Sequence, residues 1–128
     1  MESEAADKKK IKILLVDDSA SMREMVSFTL KSGGYEVSQA TDGLEALALA
    51  RAHQVNLVIT DINMPNMDGF TLIRELRKLP GYKFTPILTL TTEDSADKKQ
   101  QGQQAGATGW IVKPFDPEHL LQTVKRVL

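Results

Sequence analysis

The sequence contains no cysteine and has a formal net charge of only −1. Without cysteine there can be no disulfide and no thiolate metal site, which is compatible with the cytoplasmic location that we expect. A charge so close to zero gives no general reason to expect nucleic-acid or membrane binding. No apolar run approaches the roughly 20 residues that span a bilayer. We therefore expect neither nucleic acid nor a membrane among the partners.

The first ten residues are polar and charged, without the apolar stretch of a secretion signal. We interpret residues 1–10 as a flexible N-terminal tail and predict one domain over residues 11–128, a length that suffices for one core. Lys8, Lys9 and Lys10 could form a basic docking patch. The favoured interpretation is that these charges keep the following hydrophobic strand soluble.

Five apolar runs alternate with five stretches of helical pattern. The predicted strands are Ile11–Val16, Tyr35–Ala40, Val55–Thr60, Pro86–Thr91 and Thr108–Val112. The first, third and fourth are almost continuously apolar, as in strands covered on both faces, whereas the second alternates and resembles an edge strand. Strict alternation predicts an α/β fold with a single doubly wound, five-stranded parallel sheet and helices on both faces.

The helical stretches carry recognisable ends and apolar faces. The predicted buried stripe of the first helix comprises Met22, Met25, Val26 and Leu30. Gly33 is expected to close this helix in a left-handed conformation. Asp42 is predicted to cap the second helix and to form a capping box with Glu45.

The third and fifth helices follow the same rules. The predicted buried face of the third comprises Leu72, Ile73 and Leu76, and Pro80 and Gly81 end its pattern. The fifth is expected to begin with Asp116 as cap and Pro117 in its first turn. Its predicted buried residues are Leu120, Leu121, Val124 and Leu128.

The fourth helix, Ser95–Ala105, has no large apolar residue and contains Gly102. Little burial can stabilise it, so we predict that it is among the less stable elements. Two interpretations stay open: a solvated surface helix, or a helix whose mobility serves function.

Ligands of parallel α/β sheets bind beyond the carboxyl ends of the strands. Asp17 and Asp18 follow the first predicted strand and Asp61 follows the third. Converging carboxylates repel one another unless a cation is present, and Mg²⁺ prefers oxygen ligands of this kind. With the metal bound, Asp61 could act as a nucleophile and form an acyl phosphate. An isolated pair of aspartates would more often be a cap or a turn.

Two further strand ends supply polar side chains. Lys113 precedes a proline that keeps it extended, so its ammonium can pair with the carboxylates. Thr91 can donate its hydroxyl to a phosphoryl oxygen. Taken singly, one is an ordinary surface lysine and the other a common strand residue. The combination of four strand ends is what points to phosphoryl chemistry.

Four segments together resemble the CheY-like receiver domains of two-component response regulators. They are Leu15–Ser19 (LVDDS), Asp61–Gly69 (DINMPNMDG), Leu90–Glu93 (LTTE) and Trp110–Phe115 (WIVKPF). The resemblance extends from about Ile11 to Leu128. It implies a flavodoxin-like fold with strand order 2-1-3-4-5.

The resemblance also implies a phosphorylation site. Asp61 would be the phosphoacceptor, and Asp18 and Asp61 would ligate Mg²⁺ directly. Asp17 would act mainly through water, and the backbone carbonyl of Asn63 would supply a further ligand.

Other roles implied by the resemblance concern switching and hydrolysis. Lys113 and Thr91 would be the family's lysine and switch hydroxyl, and the peptide bond after Lys113 would be cis. Asn63 and Glu93 would influence how fast the acyl phosphate hydrolyses, and their identities resemble those of stand-alone chemotaxis receivers. Trp110 stands where the family carries a switching aromatic residue; it could gate the switch or simply cover the sheet edge.

The function implied is that of a stand-alone response regulator in chemotaxis or motility signalling. A histidine kinase would donate the phosphoryl group, and a downstream protein would bind the surface of the fourth helix, fifth strand and fifth helix. We expect no DNA-binding or enzymatic module after Leu128, so that the output is recognition by another protein. The expected form is a monomer that self-catalyses phosphotransfer and autodephosphorylation without being a multiple-turnover enzyme.

Two alternatives remain. The domain could be a phosphorelay intermediate that passes phosphate to a histidine phosphotransfer protein. It could also be a small Mg²⁺-dependent aspartyl-phosphate phosphatase of the haloacid-dehalogenase type. Those enzymes place an aspartate two residues after the nucleophile as general acid, where this chain has Asn63.

Overall fold

The computed structural model describes residues 10–128. The predicted tail lies outside the described residues, apart from Lys10, which is exposed. The strands are β1 (Lys12–Val16), β2 (Glu36–Ala40), β3 (Leu57–Thr60), β4 (Ile87–Thr91) and β5 (Gly109–Val112). The helices are α1 (Ala20–Ser32), α2 (Gly43–Ala52), α3 (Gly69–Lys78), α4 (Ala96–Ala105) and α5 (Pro117–Val127).

The five strands of residues 10–128 form one parallel sheet in the order β2-β1-β3-β4-β5. This confirms the α/β fold class and the strand order, and it places β2 at an edge as its alternating pattern predicts. β3 begins two residues later than expected, because the Val55 N–H bonds to the hydroxyl of Tyr82 at 3.1 Å instead of to a strand.

Each face of the sheet has its own apolar core, which explains the continuous apolar runs of the central strands. In β1, Leu14 and Val16 pack with α2 and α3 on one face. Ile13 and Leu15 point to the other face and pack with α1 and α5. The helices therefore cover both faces, as expected of a doubly wound sheet.

Several expected details of the helices are wrong. Met25 is 55% exposed, because the core-facing stripe of α1 follows the i, i+4 spacing of Val26 and Leu30 and leaves Met25 on the flank. Gly33 has a φ of −85°, and the left-handed residue is Gly34, with a φ of +94°. The predicted position is therefore one residue early.

The caps agree more closely with expectation. Asp42 accepts a hydrogen bond from the Glu45 N–H at 2.9 Å. Glu45 bonds back to the N–H and hydroxyl of Thr41, one residue before the cap, so the expected capping box is shifted. Asp116 caps α5, with Pro117 in the first turn.

The end of α5 also departs from the prediction. Leu120 and Val124 are fully buried and Leu121 is half-buried. Leu128 is 43% exposed, because it lies beyond the last helical residue and no element covers it there. In α3, by contrast, all of the predicted buried residues are buried.

The α4 helix is covered as sparsely as its composition predicts: Gly102 and Ala105 are its buried residues. Its mobility stays a prediction. In the part of the chain that the structure describes, no helix is long and apolar enough to cross a membrane.

Candidate functional site

Three carboxylates converge at the carboxyl edge of the sheet. Parallel pairing places Val16 of β1 beside Thr60 of β3, so the next residues, Asp17 and Asp61, leave the sheet side by side. One carboxylate oxygen each of Asp17, Asp18 and Asp61 lies within 4.8 Å of the others. Asp17 and Asp61 are buried, whereas Asp18 is exposed. The cluster that the sequence predicts is therefore present.

Lys113 neutralises part of this cluster. Its ammonium donates to Oδ2 of Asp17 and to Oδ2 of Asp61, each at 2.8 Å. The Lys113–Pro114 peptide bond is cis, as the resemblance implies. Burial lowers the pKa of the Lys113 ammonium, but the hydrogen bonds and charges of Asp17 and Asp61 outweigh that effect and raise it overall. Lys113 is therefore firmly cationic.

Local backbone groups fix the other oxygen of the two buried carboxylates. Oδ1 of Asp61 accepts from the N–H of Ile62 at 2.6 Å, and Oδ1 of Asp17 accepts from the N–H of Ser19 at 2.9 Å. Ser19 in turn caps α1. In each of these two carboxylates, one oxygen accepts a hydrogen bond from a backbone N–H and the other accepts one from the Lys113 ammonium.

Thr91 is fully buried at the end of β4. Its hydroxyl oxygen accepts from the N–H of Glu93 at 3.2 Å, and its backbone carbonyl accepts from the N–H of Lys113 at 2.7 Å. Within residues 10–128 the hydroxyl makes no other hydrogen bond, so its own hydrogen can be donated to a ligand.

Glu93 connects the remaining predicted residues. Its carboxylate accepts from the side-chain amide of Asn63 at 2.7 Å, and its backbone carbonyl accepts from the indole N–H of Trp110 at 2.9 Å. Together with the bond to Thr91, these contacts join the loops after β3 and β4 to β5. The resemblance implies that Asn63, Glu93 and Trp110 belong to the site, but it does not imply this connection between them.

Sequence reasoning missed two residues beside the site. Arg23 of α1 donates to the backbone carbonyl of Asp17 at 2.6 Å, and no pattern distinguishes it from an ordinary surface arginine. Gly69 lies close to the loop that follows β3. A Cβ at position 69 would approach the carbonyl oxygen of Asp61 and come within 2.8 Å of the Ile62 Cα. For Gly69 the sequence did offer a signal, because an Asp-Gly pair such as Asp68-Gly69 is typical of a turn.

The loop after β3 is held to α2 by a further missed contact. Asn66 has a φ of +69°, a conformation that asparagine tolerates better than most residues. Its side-chain amide donates to Oδ2 of Asp42 at 2.6 Å. This bond anchors the loop that carries Asn63.

The donor set suits a hard divalent cation. It consists of carboxylate oxygens, with no nitrogen or sulfur ligand among the three clustered residues, and Mg²⁺ prefers such oxygens. The three carboxylates also outnumber the one ammonium, that of Lys113, which contacts two of them. The cluster is of the kind typical of a receiver-domain Mg²⁺ site.

Fold and site together define a CheY-like signalling domain with an acidic cluster at the carboxyl edge of its sheet. The chain belongs to the response regulator receiver domain family, which it matches over residues 13–125. Receiver domains act as phosphoacceptors in two-component signalling, and membership of the family makes this chain a signalling regulator.

Individual relatives agree with this membership. The chain is 37% identical over 125 residues to chemotaxis protein CheY-3 of Vibrio cholerae, covering 97% of this chain and 96% of that protein. The structure matches chemotaxis protein CheY4 of Vibrio cholerae with a TM-score of 0.91 and 56% identity, over 94% of this chain and 100% of that one.

A different kind of relative is also similar. The DNA-binding dual master transcriptional regulator RpaA of Synechocystis sp. is 38% identical over 117 residues, which cover 91% of this chain. The chain spans about half the length of that regulator, 48%. The likeness therefore concerns the receiver part.

Proposed function

We propose that Asp61 accepts a phosphoryl group from a histidine kinase and that this phosphorylation switches binding to a downstream protein in chemotaxis or motility signalling. The observation that carries the proposal is the arrangement around Asp61, where two further carboxylates and the Lys113 ammonium meet at one edge of the sheet. A lone aspartate at a strand end would not support it.

In the proposed transfer, a carboxylate oxygen of Asp61 forms a bond to phosphorus, and the bond between phosphorus and the donor's imidazole nitrogen breaks. Lys113 already lies 2.8 Å from Asp61 Oδ2 and can shift from the carboxylate to a phosphoryl oxygen. Its partner Asp17 keeps the ammonium beside the reacting group through a bond of equal length.

The proposed metal is Mg²⁺, with Asp18 and Asp61 as direct ligands, Asp17 acting through water, and the backbone carbonyl of Asn63 as a further ligand. When bound, the metal neutralises the carboxylates and the incoming phosphoryl charge. The exposed carboxylate of Asp18 belongs to the acidic cluster and faces solvent, so it is accessible to a cation.

Switching is proposed to begin at Thr91, whose hydroxyl hydrogen can be donated to a phosphoryl oxygen. Movement of Thr91 would act directly on Glu93, which bonds to its hydroxyl oxygen and also to Trp110. Asn63 and Glu93, whose side chains share a hydrogen bond of 2.7 Å, are proposed to tune hydrolysis of the acyl phosphate. The proposed output surface comprises α4, β5 and α5.

The chemotaxis role, the cytoplasmic location and a monomeric state are parts of the proposal. Support for chemotaxis comes from the two Vibrio cholerae proteins, whose lengths the chain covers almost completely. A phosphorelay intermediate would carry the same residues, so partner capture must separate the two roles.

Phosphorylation is tested by incubation with acetyl phosphate and Mg²⁺, followed by intact-mass measurement. Wild type should gain one phosphoryl group, and chelation of Mg²⁺ should prevent the gain. Asp61→Asn should not be labelled, whereas Asp116→Asn, which alters the cap of α5 and none of the three clustered carboxylates, should be. Equal labelling of wild type and Asp61→Asn would refute the proposal.

Partner capture with and without phosphorylation tests the output. A chemotaxis-type messenger should retain a motility component more strongly when phosphorylated, and the Asp61→Asn variant should lose this difference. Recovery of a histidine phosphotransfer protein that accepts the label would replace the messenger role by a phosphorelay role.

A further inference from the structure

The turn between β2 and α2, residues 40–43, contacts both loops that carry the acidic cluster. At its start, the carbonyl of Ala40 accepts from the N–H of Asp17 at 3.1 Å. Near its end, Oδ2 of Asp42 accepts from the side-chain amide of Asn66 at 2.6 Å. Asp17 belongs to the loop after β1 and Asn66 to the loop after β3. The 40–43 turn is therefore a shared support for the two loops that form the proposed metal site.

A close backbone approach adds to the contact with the loop after β3. Gly43 is buried, and a Cβ at its position would lie 2.8 Å from Cβ and from Cγ of Met67 and 3.0 Å from its carbonyl oxygen. Non-bonded carbon atoms prefer about 3.5–4.0 Å, so a side chain at position 43 would push Met67 away. Met67 is half-buried and packs against the core that α2 and α3 cover. The loop is thus held on the 40–43 turn by packing as well as by the bond from Asn66.

The Asp42 carboxylate serves two donors at once. Its Oδ1 accepts from the N–H of Glu45 at 2.9 Å as the cap of α2, which leaves Oδ2 for the Asn66 amide. A carboxylate can do this because each of its oxygens is an acceptor. Asn66 has a φ of +69°, a conformation that costs free energy and persists where surrounding contacts fix it. The bond to Asp42 is a contact of that kind.

Asn63 lies between two fixed points of the loop after β3. Before it, the carbonyl of Ile62 accepts from the N–H of Gly69 at 2.8 Å. After it, Asn66 is bonded to the 40–43 turn. The course of the backbone at Asn63, whose carbonyl is the proposed further metal ligand, therefore depends on the contacts at both points.

We propose that Asp42, Gly43 and Asn66 are positioning residues for Mg²⁺, which hold the loop after β3 so that the Asn63 carbonyl can join the carboxylates. None of the three binds the metal itself. This inference rests on the proposed function, because it concerns the affinity of the proposed metal site. Residues that orient a metal ligand from outside the ligand set commonly change metal affinity by about 10- to 100-fold. These three act through the loop backbone, so we expect the lower end, about tenfold.

Exchange of the two hydrogen-bond partners tests the bond without a net change in charge. In Asn66→Asp, two carboxylates face each other and the bond is lost. In the double variant with Asp42→Asn and Asn66→Asp, the amide at position 42 can donate to the carboxylate at position 66 while its oxygen still caps α2. Titration of backbone amide signals with Mg²⁺ in two-dimensional NMR measures the affinity and shows that each variant is folded. The affinity should fall about tenfold in Asn66→Asp and return to within about twofold of wild type in the double variant.

Charge alone predicts the opposite result for Asn66→Asp, because an added negative charge on the loop that carries Asn63 attracts Mg²⁺ more strongly. Asn56→Asp is the matched control, since Asn56 is exposed and precedes β3 at the other edge of the sheet. It should leave the affinity as in wild type. Gly43→Ala tests the packing without any change in charge, and it should weaken Mg²⁺ binding by about tenfold as well.

The rate of labelling by acetyl phosphate separates positioning from damage to the phosphoacceptor. At saturating Mg²⁺ the rate in Asn66→Asp should return to within about twofold of wild type, because mass action then fills the metal site. A rate that stays low at saturating Mg²⁺, an unchanged Mg²⁺ affinity in Asn66→Asp or in Gly43→Ala, or a double variant as weak as Asn66→Asp would each overturn the inference alone. Absence of Mg²⁺ binding by wild type would overturn the proposed metal site, and the inference with it.

Discussion

The Lys113 ammonium lies 2.8 Å from Oδ2 of Asp61, although 52 positions separate the two residues in the chain. The same ammonium is 2.8 Å from Asp17, so one lysine is shared by two buried carboxylates. The Lys113 ammonium offsets the repulsion between the carboxylates of Asp17 and Asp61. It also keeps a positive charge where phosphoryl oxygens are proposed to bind.

Lys113→Met should therefore destabilise the domain in the absence of divalent ions. It leaves two buried carboxylates without their counter-ion, and we expect a loss of about 2 kcal/mol in the free energy of unfolding. Mg²⁺ should stabilise this variant more than wild type, because no ammonium competes for the same oxygens. Urea unfolding with and without Mg²⁺ measures both effects.

The control for this substitution is Lys125→Met in the last turn of α5, where the lysine is exposed. It should change stability little and leave the Mg²⁺ response as in wild type. If Lys113→Met matched this control, the ion pairs at the acidic edge would contribute nothing to folding.

Gly69→Ala should damage the site through backbone contact. The added methyl group would come within 2.8 Å of the Ile62 Cα and would press on the carbonyl of Asp61. Overpacking of this kind destabilises a domain by about 1–3 kcal/mol. We expect that loss in urea unfolding, together with slower labelling of Asp61 by acetyl phosphate.

Gly34→Ala separates these two effects. Gly34 has a φ of +94°. Among residues 10–128, apart from Gly34 and its two chain neighbours, no atom lies within 4 Å of the position that a methyl group would take, so alanine there is strained without touching the site. It should lower stability and leave the labelling rate unchanged. Equal rates in Gly34→Ala and Gly69→Ala would contradict the assigned role of Gly69.

Hydrogen bonds around the start of α2 should make the stability of the domain depend on pH in the acidic range. The N–H of Glu45 and the amide of Asn66 lower the pKa of Asp42. The N–H and hydroxyl of Thr41 lower the pKa of Glu45. Groups with a depressed folded-state pKa stabilise the domain above their unfolded values, about 4, and lose that contribution as pH falls through the folded values.

A variant carrying Asp42→Asn and Glu45→Gln keeps the shapes but not the charges. Its stability should fall less than that of wild type between about pH 6 and about pH 3. The urea midpoint measured across this range checks the prediction. Parallel profiles for the two proteins would mean that these hydrogen bonds do not favour the ionised carboxylates.

The fold was predictable because its signals are local and repeated. Continuous apolar runs and strict alternation of strand and helix predict the sheet, and the alternating pattern of Tyr35–Ala40 correctly placed β2 at an edge. The acidic cluster was predictable for the same reason: parallel strands bring the residues after β1 and β3 together.

What the sequence could not supply depends on loop conformation. Arg23, Gly69 and the Asn66–Asp42 bond are set by how the loops at the sheet edge return, and no periodicity records that. The shift from Gly33 to Gly34 has a similar origin, because adjacent glycines are locally interchangeable until tertiary contacts choose between them.

The most direct test of the central proposal locates the phosphoryl group on the chain. After reaction with acetyl phosphate and Mg²⁺, borohydride reduces an aspartyl phosphate to homoserine, and peptide mass spectrometry identifies the converted position. The account predicts homoserine at position 61 in wild type and at no position in Asp61→Asn. Conversion at Asp17 or Asp18, or an unconverted Asp61 in wild type that carries the phosphoryl mass elsewhere, would contradict it.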